Sequence, residues 1–448
     1  MPEDTREVAI LGSTGSIGTQ ALDVICRNAG RFDVVALAAG ANTRLLAAQV
    51  AASGAGIAGI ASDGGTAENP DQPPLAQALA EAGVRHEVEI LTGPTAAEQI
   101  AAGALGAAAP ASEGVVLNGM TGSIGLRPTL AALRTGATLA LANKESLVVG
   151  GALVQAAQTR PGQIVPVDSE HSALAQALTS GRHEKGMCAV GRDGELSGDS
   201  EVRRLIVTAS GGPFRDWPAE SLSAVTPAEA LKHPNFDMGR VVTTNSATLV
   251  NKALEVIEAH LLFDIPLDDI ETVIHPQQII HSRVEVQDGS TLAQAGPPRM
   301  LVPIALGLSW PDRLEKVDEP IDWTQIMQWD FEPLDHERFP AVRLAKQACA
   351  ASATHMAVYN AANEQAVDAF HEGQLGFGQI VETVEKVLGE HEGHRAEQLC
   401  LEDVIGAETW ARRRADELIG AGSVRAGSVR AGSAGSAVQA GGVSGVSR

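Results

Sequence analysis

The run Pro166-Val167-Asp168-Ser169-Glu170-His171 closes a strand-like apolar stretch. Strand side chains alternate, so this register predicts Asp168 and Glu170 on one face and Ser169 on the other. Two carboxylates converging on one side can bind a hard cation or do acid–base work. A solvated surface pair would carry the same spelling. A third carboxylate stands in Asn245-Ser246-Ala247-Thr248-Leu249-Val250-Asn251-Lys252-Ala253-Leu254-Glu255. This pattern predicts an amphipathic helix capped by Ser246 and running to about Leu262. On it Asn251 and Glu255 are i,i+4 neighbours, and Lys252 and Glu255 are i,i+3 neighbours. A capped helix start with a lysine nearby suits a phosphate. An ordinary cap with a surface Lys–Glu pair reads the same way.

A second constellation is Gly12-Ser13-Thr14-Gly15-Ser16-Ile17-Gly18, a GxxGxxG loop between a strand and a helix. Such glycines let the backbone approach a pyrophosphate, and the helix start supplies N–H donors. An NAD site would show Asp or Glu at the end of the second strand. This chain has Gly40-Ala41-Asn42-Thr43-Arg44 there, which could receive a 2′-phosphate, so NADP is expected over NAD. The alternative is a tight turn packing a helix on a sheet. Three further loops suit ligands: Ser210-Gly211-Gly212-Pro213-Phe214-Arg215, His233-Pro234-Asn235-Phe236-Asp237-Met238-Gly239 as a mobile lid, and Leu141-Ala142-Asn143-Lys144-Glu145-Ser146, which brings Lys144 to a crevice. His171, His233 and His281 are candidates for proton transfer, and each reads equally well as a structural histidine.

The elements that must position these groups follow a βαβ rhythm. Strand patterns at Glu7–Leu11, Phe32–Leu37, Gly114–Leu117 and Ala137–Leu141 alternate with helical ones, which argues a parallel sheet covered by helices. Further strands are expected at Gln163–Val167, Arg204–Thr208, Glu271–Ile274 and Ile279–Val286, with a polar loop from Arg182 to Ser200. Prolines mark a linker between Trp310-Pro311 and Glu332-Pro333, and Phe339 to Glu390 is helical by periodicity. The repeats of Ala-Gly-Ser-Val-Arg from Ala421 to Arg448 predict a disordered tail. The 448 residues suggest two or three domains, and 3% aromatics demand aliphatic cores. A net charge of −22 argues against nucleic acid and acidic membrane surfaces as partners. The four cysteines are widely spaced, which disfavours zinc ribbons and disulfide scaffolds. No signal peptide or membrane span is visible, so a soluble cytoplasmic protein is expected.

Taken in order, these segments, with Ile274-His275-Pro276-Gln277 and Asn360-Ala361-Ala362-Asn363-Glu364, resemble the 1-deoxy-D-xylulose 5-phosphate reductoisomerase family over about residues 7 to 395. The resemblance implies an α/β enzyme with three parts: an N-terminal Rossmann-like NADPH domain (1–167), an α+β catalytic domain (168–309) and, after a linker (310–335), a C-terminal helical bundle domain (336–416). A tail (417–448) follows. It implies an NADPH-dependent homodimer that takes a sugar phosphate, 1-deoxy-D-xylulose 5-phosphate, to 2-C-methyl-D-erythritol 4-phosphate with Mg²⁺ or Mn²⁺ (or Co²⁺). Carried over by position, Asp168, Glu170 and Glu255 would hold the metal. Lys144, Glu170, His233 and Glu255 would be catalytic. Lys144, Ser169, Glu170, Ser210, His233, Ser246, Asn251, Lys252 and Glu255 would contact substrate. Thr14, Gly15, Ser16, Ile17, Gly40, Asn42, Asn143, Glu145 and Gly239 would line the cofactor site. Two positions depart from the family pattern. Phe236 replaces a usual lid tryptophan, and Ala41 replaces a frequent basic residue, for which Arg44 is the expected substitute. The alternatives are another NADP-dependent oxidoreductase of a phosphorylated substrate, which needs no triple carboxylate, and a nucleotide-sensing protein, in which site residues would have decayed.

Overall fold

The computed structural model describes residues 5–66, 70–105, 114–191, 194–232 and 239–434. His233, Phe236 and the rest of the expected lid up to Met238 lie outside them, as do residues 435–448. The N-terminal half begins β1 (Arg6–Leu11), α1 (Ser16–Arg27), β2 (Phe32–Ala39), α2 (Thr43–Ser53) and β3 (Ile57–Ile60). It continues α3 (Leu75–Glu81), β4 (Glu89–Thr92), α4 (Ala96–Gly103), β5 (Val115–Asn118), α5 (Leu126–Arg134), β6 (Thr138–Leu141), α6 (Lys144–Ala157) and β7 (Ile164–Pro166). Among the described residues the seven strands form one parallel sheet in the order β4-β3-β2-β1-β5-β6-β7. Val8 to Leu11 and Val115 to Leu117 are wholly buried. That is why they read as continuous apolar runs rather than alternating ones. The order reverses at β1, so the crevice for a ligand opens between the ends of β1 and β5.

Helix α7 (Ser169–Leu178) leads into a mixed sheet of β8 (Val202–Ala209), β9 (Ile270–Ile274), β10 (Ile280–Val286), β11 (Thr291–Ala295) and β12 (Glu332–Pro333). Its order is β11-β10-β8-β9-β12, with β8 and β9 parallel and the other pairs antiparallel. Between β8 and β9 come α8 (Pro227–Ala230), α9 (Arg240–Thr248) and α10 (Val250–Phe263). After β11, α11 (Leu301–Ser309) returns to the first sheet, where Ile304 and Leu308 are fully buried. A Cβ on Gly307 would lie 2.6 Å from Val167 Cγ2, so the glycine permits this close packing. Helices α12 (Ala341–Ala351), α13 (His355–His371), α14 (Gln379–Gly389) and α15 (Leu401–Ala434) pack together, and α13 also touches α6 and α9. The four cysteines are unpaired.

Two expectations need correction. The strand β7 stops at Pro166, and Asp168 is the N-cap of α7, its carboxylate accepting from Glu170 N–H at 3.2 Å. The two carboxylates converge through a helix start, not through strand alternation, because capping satisfies N–H groups that a strand would leave paired elsewhere. Ser246 is not a cap. It lies inside α9, donating to Val242 O at 3.0 Å, and the chain breaks at Leu249, held at φ +60° before α10 begins. Helix α15 crosses the boundary placed at 417. Val404, Ala407, Ala411, Ala415 and Ile419 recur at helical spacing and are buried, and α15 continues to Ala434.

Candidate active site

A cavity of about 720 Å³ opens where the first sheet, α7 and the start of α10 meet. Each wall has a sequence reason. Asn143 caps α6, accepting from Ser146 N–H, and so presents Lys144 at the first helical turn. Asp168 caps α7 and presents Ser169 and Glu170 in the same way. The left-handed Leu249 is 2% exposed and resets the helix direction, so that Asn251, Lys252 and Glu255 face the cavity. A bulky residue in this region of φ/ψ stores strain, which is tolerated mostly where function needs the bend. Gln278, at φ +49°, is a second such residue on the wall. Sequence reasoning had no signal for either.

The carboxylates and ammonium groups interlock. Lys144 Nζ donates to Asp168 Oδ2 at 2.9 Å, Glu255 Oε1 at 2.8 Å and Asn251 Oδ1 at 3.1 Å. Lys252 Nζ donates to Glu170 Oε1 at 2.7 Å and also to Glu255 Oε2. Burial penalises both ammonium groups. Asp168 and Glu255 outweigh that at Lys144, and Glu170 and Glu255 at Lys252, so both pKa values are raised. Burial also penalises the Asp168 carboxylate, but Lys144 and His171 hold its pKa well below the ordinary value. Glu170 goes the other way. Burial and the neighbouring Glu255 carboxylate push it up to about 7. Ligand atoms of Asp168, Glu170 and Glu255 lie within 4.8 Å of one another and face the cavity. Three hard oxygen donors under mutual repulsion fit a hard divalent cation, which would relieve the cost seen at Glu170. A second set shares Asp168 and adds His171 and Glu258, which lie behind it and off the cavity lining. There His171 Nε2 donates to Glu255 O at 2.8 Å, while Nδ1 lies 3.1 Å from Asp168 and 3.2 Å from Glu258. Nδ1 makes no hydrogen bond to either carboxylate, but two acids at ion-pair distance favour the imidazolium. Burial opposes the charge, and Glu258 and Asp168 overcome it, holding the pKa at about 9.

Family models cover most of the chain: 1-deoxy-D-xylulose 5-phosphate reductoisomerase at residues 8–151, its C-terminal domain at 164–263, and the DXP reductoisomerase C-terminal domain at 295–414. The 1-deoxy-D-xylulose 5-phosphate reductoisomerase of Paenarthrobacter aurescens strain TC1 is 57% identical over 415 residues, spanning 91% of this chain and 97% of that one. That of Kitasatospora griseola is 54% identical over 413 residues, spanning 92% and 99%. The chain belongs to the 1-deoxy-D-xylulose 5-phosphate reductoisomerase family. Among solved structures, the reductoisomerase from Zymomonas mobilis in complex with NADPH superposes with TM-score 0.78 at 40% identity, covering 93% of this chain and 99% of that one. A DOX-P reductoisomerase in complex with NADPH, fosmidomycin and magnesium gives TM-score 0.78 at 31% identity, covering 92% and 98%.

In this reductoisomerase the glycine loop forms the cavity's other wall. Gly15, Ser16 and Ile17 line it, beside Gly119, Met120 and Thr121 from the loop after β5. Gly12 adopts φ +81°, and a Cβ on it would lie 2.8 Å from Gly119 O. Lys144, Glu145, Asp168, Ser169, Glu170, Ser210, Gly239, Ser246, Asn251, Lys252 and Glu255 also line the cavity, as the sequence suggested. Thr14, Gly40, Asn42 and Asn143 do not. Asn42 caps α2. Asn143 donates from Nδ2 to Met120 O and Gly122 O, both at 2.9 Å, and so braces the loop beside the crevice. Gln20 and the segment Pro298–Leu301 line the cavity without having been anticipated. Glu258 was also missed. At i+3 from Glu255 it reads as a surface acid, yet it is fully buried. His281 is buried against Pro297 O, away from the lining, and burial lowers its pKa.

Proposed function

We propose that this chain converts 1-deoxy-D-xylulose 5-phosphate to 2-C-methyl-D-erythritol 4-phosphate, using NADPH and a divalent metal, in isoprenoid biosynthesis. The observation that carries this is the convergence of Asp168, Glu170 and Glu255 on a cavity whose opposite wall is the Gly15–Ile17 turn. Asp168, Glu170 and Glu255 would hold Mg²⁺ or Mn²⁺, which when bound would supply Lewis-acid polarisation of the substrate's carbonyl and hydroxyl oxygens. NADPH supplies the reducing hydride. Gly15, Ser16 and Ile17, at the start of α1, would hold its pyrophosphate, since backbone N–H groups and the helix dipole there favour anions. Gly40 and Asn42 would lie toward its ribose, and Arg44, exposed on the first turn of α2, would take the 2′-phosphate. Gly239 and Glu145 flank the far end.

Ser210, Ser246, Asn251 and Lys252 bind the substrate phosphate and neighbouring hydroxyls. Fixing the phosphate orients the carbon–carbon bond that breaks. Lys144 and Ser169 meet the reacting oxygens, and Lys144, already beside Asp168 and Glu255, can balance negative charge as it develops there. Glu170, pushed up to about 7 by burial and the neighbouring Glu255, has a carboxylate that a bound cation would stabilise. His233, outside the described residues, would contact substrate. The enzyme acts as a cytoplasmic homodimer, without nucleic acid or membrane partners. No described helix is long and apolar enough to cross a membrane. The test is NADPH oxidation by purified protein with 1-deoxy-D-xylulose 5-phosphate and Mn²⁺. Oxidation should cease with EDTA. Glu170→Gln should lower kcat by more than about 100-fold, beyond what loss of an outer partner costs. Oxidation that survives EDTA, or no oxidation by folded protein that binds NADPH, would refute the reading.

A further inference from the structure

The motif Asn360-Ala361-Ala362-Asn363-Glu364 takes no part in the chemistry above. It lies on α13, which packs on α9. Helix α9 has two working faces. Gly239, at its cap, and Val242, Ser246 and Leu249 turn toward the cavity at three- and four-residue steps. Arg240, Thr244 and Asn245 turn toward α13. Asn363 is fully buried and donates from Nδ2 to Asn245 Oδ1 at 2.9 Å. His371 Nε2 lies 2.8 Å from Thr244 Oγ1, which itself donates to Arg240 O at 2.9 Å and therefore accepts from the imidazole. Arg240 Nη2 donates to Asp368 Oδ1 at 2.6 Å.

Helix α9 has little means of holding itself. Its sequence, Arg-Val-Val-Thr-Thr-Asn-Ser-Ala-Thr, is β-branched and short-polar through most of its nine residues, all types below alanine in helix preference. Thr243, Thr244, Ser246 and Thr248 each bond back to the carbonyl four residues earlier, a pattern that loosens helices. The strained Leu249 follows. On the cavity side α9 is pressed against the turn that carries Ser210, since a Cβ on Gly212 would lie 2.7 Å from Ser246 O. A shift of α9 would move Ser246 directly and displace the Ser210 turn with it.

We propose that α13 is a positioning element for the substrate's phosphate, with Asn363 as its principal positioning residue. Asn363 fixes the register of α9 through Asn245, while His371 and Asp368 fix its direction. The helical region thereby sets the distance between Ser246 and Ser210, without touching substrate. The inference rests on the reading of those two serines as phosphate contacts.

The experiment measures, for each variant, KM for 1-deoxy-D-xylulose 5-phosphate, the competitive Ki of inorganic phosphate, the Kd values of NADPH and Mn²⁺, and Tm. Asn363→Leu keeps the volume and removes the amide. It should raise KM and the phosphate Ki together by about tenfold, with NADPH and Mn²⁺ affinities at their wild-type values. The double variant Asp368→Asn/His371→Leu, altered nearer the surface, should shift the same two constants by about fivefold. Ser246→Ala is the control for the site itself. If it leaves KM and Ki unchanged, the phosphate reading fails and the inference with it. If Ser246→Ala shifts both but Asn363→Leu shifts neither, the positioning role alone is wrong. A parallel loss of all four constants would also overturn it, since that marks general loosening. Should Asn363→Leu not fold, the double variant decides by the same criteria.

Discussion

A Cβ on Gly18 would lie 2.4 Å from Ser13 Cα and 2.5 Å from Gly12 O, both backbone atoms that cannot swing aside. Gly18→Ala should therefore push α1 away from β1, costing about 1–3 kcal/mol by overpacking and weakening NADPH binding at Gly15–Ile17. Urea unfolding and an NADPH titration check both. An unchanged midpoint would mean that the turn is slacker than its geometry. Arg44 is the matching test at the other end of the cofactor. It is exposed on the first turn of α2, and Arg44→Ala should lower the preference for NADPH over NADH by about tenfold, a typical cost for one charge-assisted phosphate contact. An unchanged preference would refute that role. At this scale the sequence was most legible where a residue type has few uses. Three carboxylates with two lysines, and a glycine loop between strand and helix, pointed correctly to the cavity wall. Glu258 and Leu249 were invisible for the opposite reason. A glutamate on a helix is ordinarily solvated and a leucine ordinarily helical, and only packing makes one a buried partner of His171 and the other a left-handed hinge.

Elements were legible where pattern and burial agree. Strands β1, β2 and β5 carry unbroken apolar runs, Val8–Leu11, Val34–Ala39 and Val115–Leu117, while β3, with Gly59 in Ile-Ala-Gly-Ile, and β4, with an exposed Glu89, carry too little pattern to be seen. The end of β7 was misread because a capping Asp and an alternating Asp are spelled alike. The junctions of the helical region carry a prediction of their own. His391 meets His355 edge to face, with ring centroids 4.9 Å apart, and lies tilted against Trp410 at 5.2 Å, and its Nε2 lies 2.8 Å from Thr354 Oγ1. Burial, then the neighbouring His355 and His394, depress its pKa to about 4. A depressed folded-state pKa means that the unfolded chain binds the proton more readily. The stability this neutral ring contributes is complete above about pH 6.5, the unfolded value, and is lost as pH falls toward 4. Thermal unfolding of the wild-type protein should therefore drop between pH 6.5 and 4 more steeply than that of His391→Gln. Parallel curves for the two proteins would show that the ring titrates without coupling to the fold.

For the whole molecule, a charge of −22 sets what any second copy must overcome. Most large apolar side chains are buried, but the connection between α11 and β12 exposes Trp323, Ile326, Met327 and Phe331 within nine residues. The patch is built rather than frayed. Phe331 stacks on His275 with centroids 4.4 Å apart and lies under Arg283 at 4.2 Å, and Trp323 meets Trp329 edge to face at 5.9 Å. It adjoins β12, the edge of the second sheet. A contiguous apolar patch beside a strand edge marks an interaction surface, and a partner of the same negative charge would be met there with least repulsion. A second copy of this chain should therefore dock on this face. Light scattering after gel filtration should give twice the chain mass for the wild-type protein, and Ile326→Glu/Trp323→Glu should shift it to monomer at micromolar concentration. Because the copies repel at long range, added salt should strengthen the wild-type association, with most of the gain by 0.15 M, where screening acts within about 8 Å. A dimer that persists in the double variant would move the interface elsewhere. A wild-type monomer at every salt concentration would remove the dimer, and the exposed tryptophan and isoleucine would then need a different partner to explain them.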